Sequence, residues 1–275
     1  MSVTVFVVPY DLASRHQGTG AGPPALVAAG VVAGFPLTDV QTIGVPPAGN
    51  EVQACITIDA ALAVAARAAR QSGAIPLVLS GNCHSCLGTL AATGPDVSIV
   101  WFDAHGDLNT PDTTETGFFD GMALASAIGW TWRSMVRQIP GFQPVREEHV
   151  LLVGGRDLDP AERDLLSRSR VRHFMPPALR SDDETAAAFA DALTAASSPP
   201  ATYVHIDLDV LDATELRANR YASAGGVSIQ WLETALRTIR TRKEIAAVAV
   251  TSYDPECHDV REVSRIVNRL TSALF

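Results

Sequence analysis

The order of elements along this 275-residue chain predicts an α/β fold, with an open, mostly parallel sheet and helices on both faces. Two observations carry that prediction. Short runs rich in Val, Ile and Leu alternate with longer Ala-rich stretches from one end of the chain to the other. Several of the short runs end abruptly in ligand-type side chains, and such sheets collect their ligands at the carboxyl ends of strands.

Taken in order, residues 3–8 are a short β-branched run, read as a buried parallel strand. Gly18, Gly20, Gly22, Pro23 and Pro24 make a loop that leads into a helix from about Ala25. Residues 40–44 read as a second, shorter strand that Pro46 and Pro47 end. Residues 51–72 are good helix formers and predict a long helix stopped by Gly73. Residues 75–79 form a strand that runs into Ser-Gly-Asn-Cys-His-Ser-Cys and then a helix. Residues 97–102 are a strand, residues 110–119 a Thr- and Asp-rich loop, and residues 121–129 a helix. Residues 150–153 are a strand ending at Gly154-Gly155-Arg156-Asp157. Pro160 starts a short charged helix, at the position Pro favours. A weak strand at 171–174, a helix at 182–196 and a loop at 197–200 follow. Residues 203–206 are a strand, residues 229–240 a helix capped by Ser228, residues 245–251 a strand, and a closing helix begins at Asp259. There is no internal repeat, low-complexity segment or linker, so residues 1–275 read as one domain.

Composition narrows the function classes. With 47% hydrophobic residues the chain can bury a large core, and a net charge of -9 argues against nucleic acid as a partner. No uninterrupted apolar run reaches the ~20 residues that a bilayer needs, and the first residues lack a basic leader region, so no membrane partner is expected. Cys55, Cys83, Cys86 and Cys257 form no repeating framework, which predicts reduced thiols and a cytoplasmic location.

Residues 98–109 carry the chemistry. Their apolar run ends in Asp103, His105 and Asp107, alternate positions that share one face of an extended chain. Two carboxylates and an imidazole so placed suit divalent metal ions. A solvated loop would be the blander reading, but residues 202–212 repeat the pattern with Asp207, Asp209 and, three residues on, Asp212. Carboxylates at neighbouring strand ends repel, and burying them unpaired costs roughly several kcal/mol each. The nearby sequence offers few Lys or Arg, so a pair of dications is the expected counter-charge.

Asp103-Ala104-His105-Gly106-Asp107-Leu108-Asn109 and Asp207-Leu208-Asp209-Val210-Leu211-Asp212 resemble the two metal-binding signatures of the ureohydrolase (arginase and agmatinase) superfamily, and the order of elements fits over nearly the whole chain. The resemblance implies a three-layer α/β/α fold with a central, mostly parallel sheet of about eight strands. It also implies two Mn²⁺ ions and hydrolysis at a guanidino carbon. By that resemblance Asp103 and Asp207 each touch both ions, Asp107 binds the first, and His105 with Asp209 binds the second. Asp107 also accepts a proton from the attacking water and relays it to the departing amine.

Three departures accompany the match. In Ser80-Gly81-Asn82-Cys83-His84-Ser85 a gapless register puts Cys83 at the position of a family His ligand, and a slip of one residue puts His84 there. A thiolate adds one negative charge to the cluster. Cys83-x-x-Cys86 alone is a weak zinc or redox signal. Asp120 falls where the family has a proton-shuttling His; it is either an acid–base group or a helix cap. Ser252 replaces the Glu that cradles a guanidinium, and Glu256 lies four residues on. The amino-acid end is better matched. Asn109 and Thr116 correspond to α-carboxylate binders, and Asp159 and Glu162 to α-amino binders.

Together these departures resemble the arginase-like hydroxyarginine hydrolases of D-cycloserine (antibiotic) biosynthesis. The expected reaction is therefore N-ω-hydroxy-L-arginine to hydroxyurea and L-ornithine. Arginine, agmatine and formimidoyl-glutamate are alternative substrates, and a metal-binding pseudoenzyme is the alternative of another class. The expected partner is a small amino-acid substrate. The expected assembly is a monomer or an oligomer independent of a C-terminal tail.

Overall fold

The computed structural model describes residues 2–31, 36–44, 50–176, 183–194 and 198–275. The expected end of the second strand at Pro46 and Pro47, and both ends of the 182–196 helix, lie outside the described residues.

Eight strands form one sheet: β1 (Ser2–Val8), β4 (Leu37–Thr42), β5 (Ala74–Ser80), β6 (Ser98–Asp103), β7 (Val150–Gly154), β8 (Arg172–Phe174), β9 (Ala201–Asp207) and β10 (Glu244–Thr251). Their order is β4-β1-β5-β10-β9-β6-β7-β8, and every pairing is parallel. A separate two-residue hairpin, β2 (Tyr10–Asp11) with β3 (Ser14–Arg15), stands at the exit of β1. The sequence pattern there suggests only loop, because strands of two residues are too short to show a period.

The sheet divides the core into two layers by simple alternation. Val3, Val5 and Val7 of β1, Leu77 and Leu79 of β5, and Val100 and Phe102 of β6 face one layer. Phe6 and Val8, Val78, and Ile99 and Trp101 face the other. The first layer is filled by α1 (Gly22–Ala28), α7 (Asp183–Leu193), α8 (Ile229–Arg242) and α9 (Val260–Leu274), through Leu26, Phe189, Trp231 and Leu270. The second is filled by α2 (Glu51–Gln71), α3 (Cys86–Thr93) and α4 (Ala123–Ala127), through Leu62, Leu87 and Leu124. Burying a side chain such as Leu62 or Leu270 contributes about 1.5–3 kcal/mol.

The helix starts obey their caps. Asn50 accepts from Gln53 N at 2.9 Å, Ser228 from Trp231 N at 3.1 Å, and Asp259 from Arg261 N at 2.9 Å. Helix α1 begins at Gly22, earlier than expected, because Pro23 and Pro24 sit in its first turn, where proline needs no donor. Helix α2 is 21 residues long and holds an 18-residue stretch of mean hydropathy 1.4, long and apolar enough to cross a membrane; in this fold it packs on the sheet through Leu62, Ala63 and Ala66, all fully buried. The expected 121–129 helix is a 3-10 turn, Asp120–Met122, followed by α4. A one-turn helix, α5 (Arg133–Val136), was not expected from the sequence. Helix α6 (Pro160–Arg168) starts at Pro160 as expected.

Candidate metal centre and substrate cleft

The four central strands β5, β10, β9 and β6 deliver their carboxyl ends to one point, where the strand order reverses direction. From β6 come Asp103 and, just beyond it, His105 and Asp107. From β9 come Asp207 and Asp209, from the turn after β5 comes Cys83, and from β10 come Thr251 and Ser252. Asp107 and Ser252 both hold positive φ, 50° and 66°. Such left-handed residues cost of order 1–3 kcal/mol and concentrate where a site dictates the backbone.

Two donor groups form. Cys83, Asp103 and Asp207 offer ligand atoms within 4.8 Å of one another, and so do Asp103, His105 and Asp209. Asp103 belongs to both. Cys83 Sγ lies 3.1 Å from Asp207 Oδ2, and His105 Nδ1 lies 3.4 Å from both Asp103 Oδ1 and Asp209 Oδ2. Asp107 falls outside both groups, and its buried Oδ2 has no hydrogen-bond partner among the described residues. Among the described residues none of these four aspartates makes an ion pair with Lys or Arg.

The electrostatics are those of a site built around positive charge. Burial, then the Asp103 and Asp120 carboxylates, holds Asp107 well above the usual carboxylate range. Burial, then Asp209 and Asp103, does the same to Asp207. Burial and Asp207 push the Cys83 thiol up. Burial opposes charge on His105, but hydrogen bonds to Asp103 and Asp209 overcome it and raise its pKa above the usual imidazole range. Asp209 stays low in spite of its burial because His105 donates to it. The donor set fits two dications: borderline and hard donors, one carboxylate shared, and a buried carboxylate oxygen unsatisfied.

Neighbouring groups orient the donors. Trp101 Nε1 donates to Asp103 Oδ2 at 2.9 Å, and Asn219 Nδ2 donates to Asp209 Oδ2 at 3.2 Å and to Ser252 O at 3.0 Å. The Arg156 guanidinium fans out to five main-chain carbonyls, among them Asp209 O at 2.8 Å and Ser223 O at 2.9 Å. It ties the loop after β9 to residues 223–224. Asp212, the last acid of the second motif, turns away. Its oxygens accept from Thr214, Gly225 and Gly226 N, so it closes that same loop.

His84 also turns away from the cluster. Its Nδ1 meets Asp59 Oδ2 of α2 at 3.2 Å in the core, while Cys83 faces the aspartates. Asp120 does not cap the helical turn it opens, where no side-chain cap bond forms. Its Oδ2 accepts from Asn82 Nδ2 (2.9 Å) and Cys83 N (3.1 Å), and its Oδ1 from His84 N (2.8 Å). It clamps the turn that presents Cys83. Asn82 in turn accepts from Leu12 N of the hairpin. Hairpin and turn touch with no room to spare: a Cβ on Gly81 would run into the Tyr10 carbonyl.

A cleft of about 290 Å³ opens beside the donors. Asn109, Asp159 and Glu162 line its far wall. Asn109 Nδ2 donates to Asp159 Oδ2 at 2.8 Å. Glu162 spends both oxygens on main-chain donors, Leu108 N (2.9 Å) and Asp159 N (3.0 Å), and completes a capping box with Asp159. Thr116 stands apart at the exposed rim. Ser252 Oγ sits 3.6 Å from Cys83 Sγ at the base. Glu256 is exposed and pairs with Arg220 at 2.9 Å, away from the donors. Phe118 and Tyr221, ring centroids 6.0 Å apart, stand at the mouth. Sequence reasoning missed Tyr221 and Asn219, which carry no motif; Trp101, Phe118, Asn82 and Arg156 lay inside quoted stretches without an assigned role.

A parallel eight-stranded sheet with a binuclear donor set at its reversal point defines a metallohydrolase of the ureohydrolase type. The chain belongs to the Arginase family, whose description matches residues 1–275. Members of that family are manganese-dependent hydrolases of amidino C–N bonds built around a binuclear manganese cluster. The chain is 29% identical to the arginase of Brevibacillus brevis over 100% of its own length and 97% of that protein's. It is 36% identical to the N(omega)-hydroxy-L-arginine amidinohydrolase of Streptomyces lavendulae, over 53% of this chain and 49% of that one. The crystal structure of arginase from Bacillus cereus superposes with a TM-score of 0.88 at 25% identity, covering 100% of this chain and 98% of that one.

Proposed function

We propose that this arginase-family hydrolase binds two Mn²⁺ ions and cleaves N-ω-hydroxy-L-arginine to hydroxyurea and L-ornithine. Cys83, Asp103, His105, Asp107, Asp207 and Asp209 would hold the ions. When bound, they supply Lewis acidity and a water acidic enough to ionise near neutrality. The remaining steps belong to the protein. At the far wall Asn109 and Asp159, joined by a hydrogen bond, orient the amino-acid head of the substrate. Asp107 Oδ2, buried and without a partner among the described residues, takes the proton from the water as its oxygen bonds to the guanidino carbon. The same carboxyl returns that proton to the ornithine nitrogen as the C–N bond breaks.

The observation that carries the substrate is the base of the cleft. Ser252 stands there beside Cys83, and the two acids just downstream, Asp254 and Glu256, are both committed to Arg220. A fully cationic guanidinium has no glutamate from that strand end to meet. A hydroxyguanidine is less basic, and its hydroxyl offers Ser252 a hydrogen bond. The partial likeness to the Streptomyces lavendulae protein supports this reading, while the full-length likeness to arginases supports L-arginine as the alternative.

The test is kcat/KM on the Mn-loaded chain with hydroxyarginine, arginine, agmatine and formimidoyl-glutamate. Hydroxyarginine should lead by on the order of 10⁴-fold, since a site built to hydrogen-bond a hydroxyl rejects the analogue lacking it by about that factor. Equal turnover of arginine would refute the assignment. The free cysteines, three of them buried, suit the reducing cytoplasm in which we place the protein.

A further inference from the structure

We propose that Tyr203, His205 and Thr251 form a one-way chain of hydrogen-bond donors ending on the sulfur of Cys83, which makes Thr251 a positioning residue for the metal centre. The inference rests on the reading of Cys83 as a ligand. The Tyr203 hydroxyl is buried and meets His205 Nδ1 at 2.8 Å. A buried phenol must find an acceptor, so Tyr203 donates and Nδ1 accepts. That assignment leaves the imidazole proton on Nε2. The ring is held in place by Trp101, stacked on it at a centroid distance of 3.6 Å and 3° between planes.

Nε2 faces Thr251 Oγ1 at 3.4 Å, so Thr251 accepts from His205 and keeps its own proton to give. Three acceptors surround it: Cys83 Sγ at 3.3 Å, and Asp207 Oδ2 and Ile206 O at 3.5 Å each. Sulfur is the larger atom and also the nearer one, so it is the best placed to receive the proton. Ser252 Oγ approaches the same sulfur at 3.6 Å. All three donors of the chain then point one way. Each bond polarises the next, and the positive end arrives at the sulfur. A thiolate brings one more negative charge to the cluster than imidazole would, and this chain draws part of it off.

The test uses the full chain loaded with Co²⁺, whose bond to a thiolate gives a charge-transfer band in the near ultraviolet. Cys83→Ser should abolish the band. Thr251→Val should move it to longer wavelength, because a sulfur without its donor gives up electrons more easily. Thr251→Ser, which keeps the hydroxyl, should restore the original position. Tyr203→Phe keeps the ring and lies outside the cleft; it should move the band the same way by a smaller amount, and it serves if Thr251→Val does not fold. A band that stays put in both Thr251→Val and Tyr203→Phe overturns the donor chain while leaving Cys83 a ligand. A wild-type protein with no band overturns the ligand reading and the chain with it.

Discussion

Asp120 offers the sharpest perturbation. Its carboxylate accepts from Asn82 Nδ2, Cys83 N and His84 N at 2.8–3.1 Å, all in buried surroundings. Asp120→Ala strands two main-chain N–H groups and an amide. Each stranded buried donor costs about 1–3 kcal/mol, so the variant should lose roughly 3–9 kcal/mol. Urea unfolding of the metal-free chain measures that loss. Metal analysis after dialysis should also show reduced occupancy, because the turn that presents Cys83 is no longer held. Asp120→Asn should fall between the two, since its NH₂ must face the donors that the carboxylate accepted. An Asp120→Ala protein with the unfolding midpoint and metal content of the parent would refute the clamp. If Asp120 instead carries protons, Asp120→Asn removes one limb of the pH–rate profile and leaves metal content unchanged.

Other outcomes follow from the same geometry. Arg156→Lys should weaken metal retention, because an ammonium cannot serve five carbonyls spread over two loops; competition with a chelator measures it. Gly81→Ala should destabilise the chain by about 1–3 kcal/mol in denaturant titration, since its methyl group collides with the Tyr10 carbonyl and parts the hairpin from the ligand turn. Glu162→Ala should cost about 1–3 kcal/mol and slow turnover, because Leu108 N loses its acceptor one residue from Asp107. Stability of the metal-free chain should fall as pH rises above about 6.5. There His105, raised in the fold, holds a proton that the unfolded chain has released; Asp107 and Asp207, also raised, act in the same direction from about pH 4, where unfolded aspartate ionises. Each such proton costs about 1.4 kcal/mol per pH unit. The thermal midpoint with Mn²⁺ should therefore pull away from the metal-free one as pH rises; a constant gap would contradict the raised values.

How much of this was legible in the sequence depends on the length scale of the cause. Strands such as β1, β5, β6 and β10 are continuous apolar runs, and their burial on both faces writes itself into composition. The second strand came out displaced, Leu37–Thr42 rather than 40–44, because Leu-Thr-Asp-Val-Gln-Thr lies exposed at the sheet edge and has no apolar pattern to read. The aspartates and His105 announced themselves by alternate spacing within single strand ends. Asn219, Trp101, Thr251 and His205 act on those same donors through contacts made only in the fold, and no spacing rule points to them. Asp120 reads in the sequence as a proton carrier or as the cap of the helix that follows; it caps neither that helix nor its own turn, and its hold on a turn 36 residues earlier is a tertiary contact that no local pattern reveals.

The place of β10 sets the order in which the molecule can be made. It is the last strand in sequence, yet it lies between β5 and β9, near the middle of the sheet. Until it inserts, β4-β1-β5 and β9-β6-β7-β8 are two separate half-sheets, with Cys83 on one and the aspartates on the other. Long-range pairing of that kind is slow to form and leaves bare strand edges while it waits. A nascent chain therefore cannot bring the two halves of the donor set together until its final strand is available.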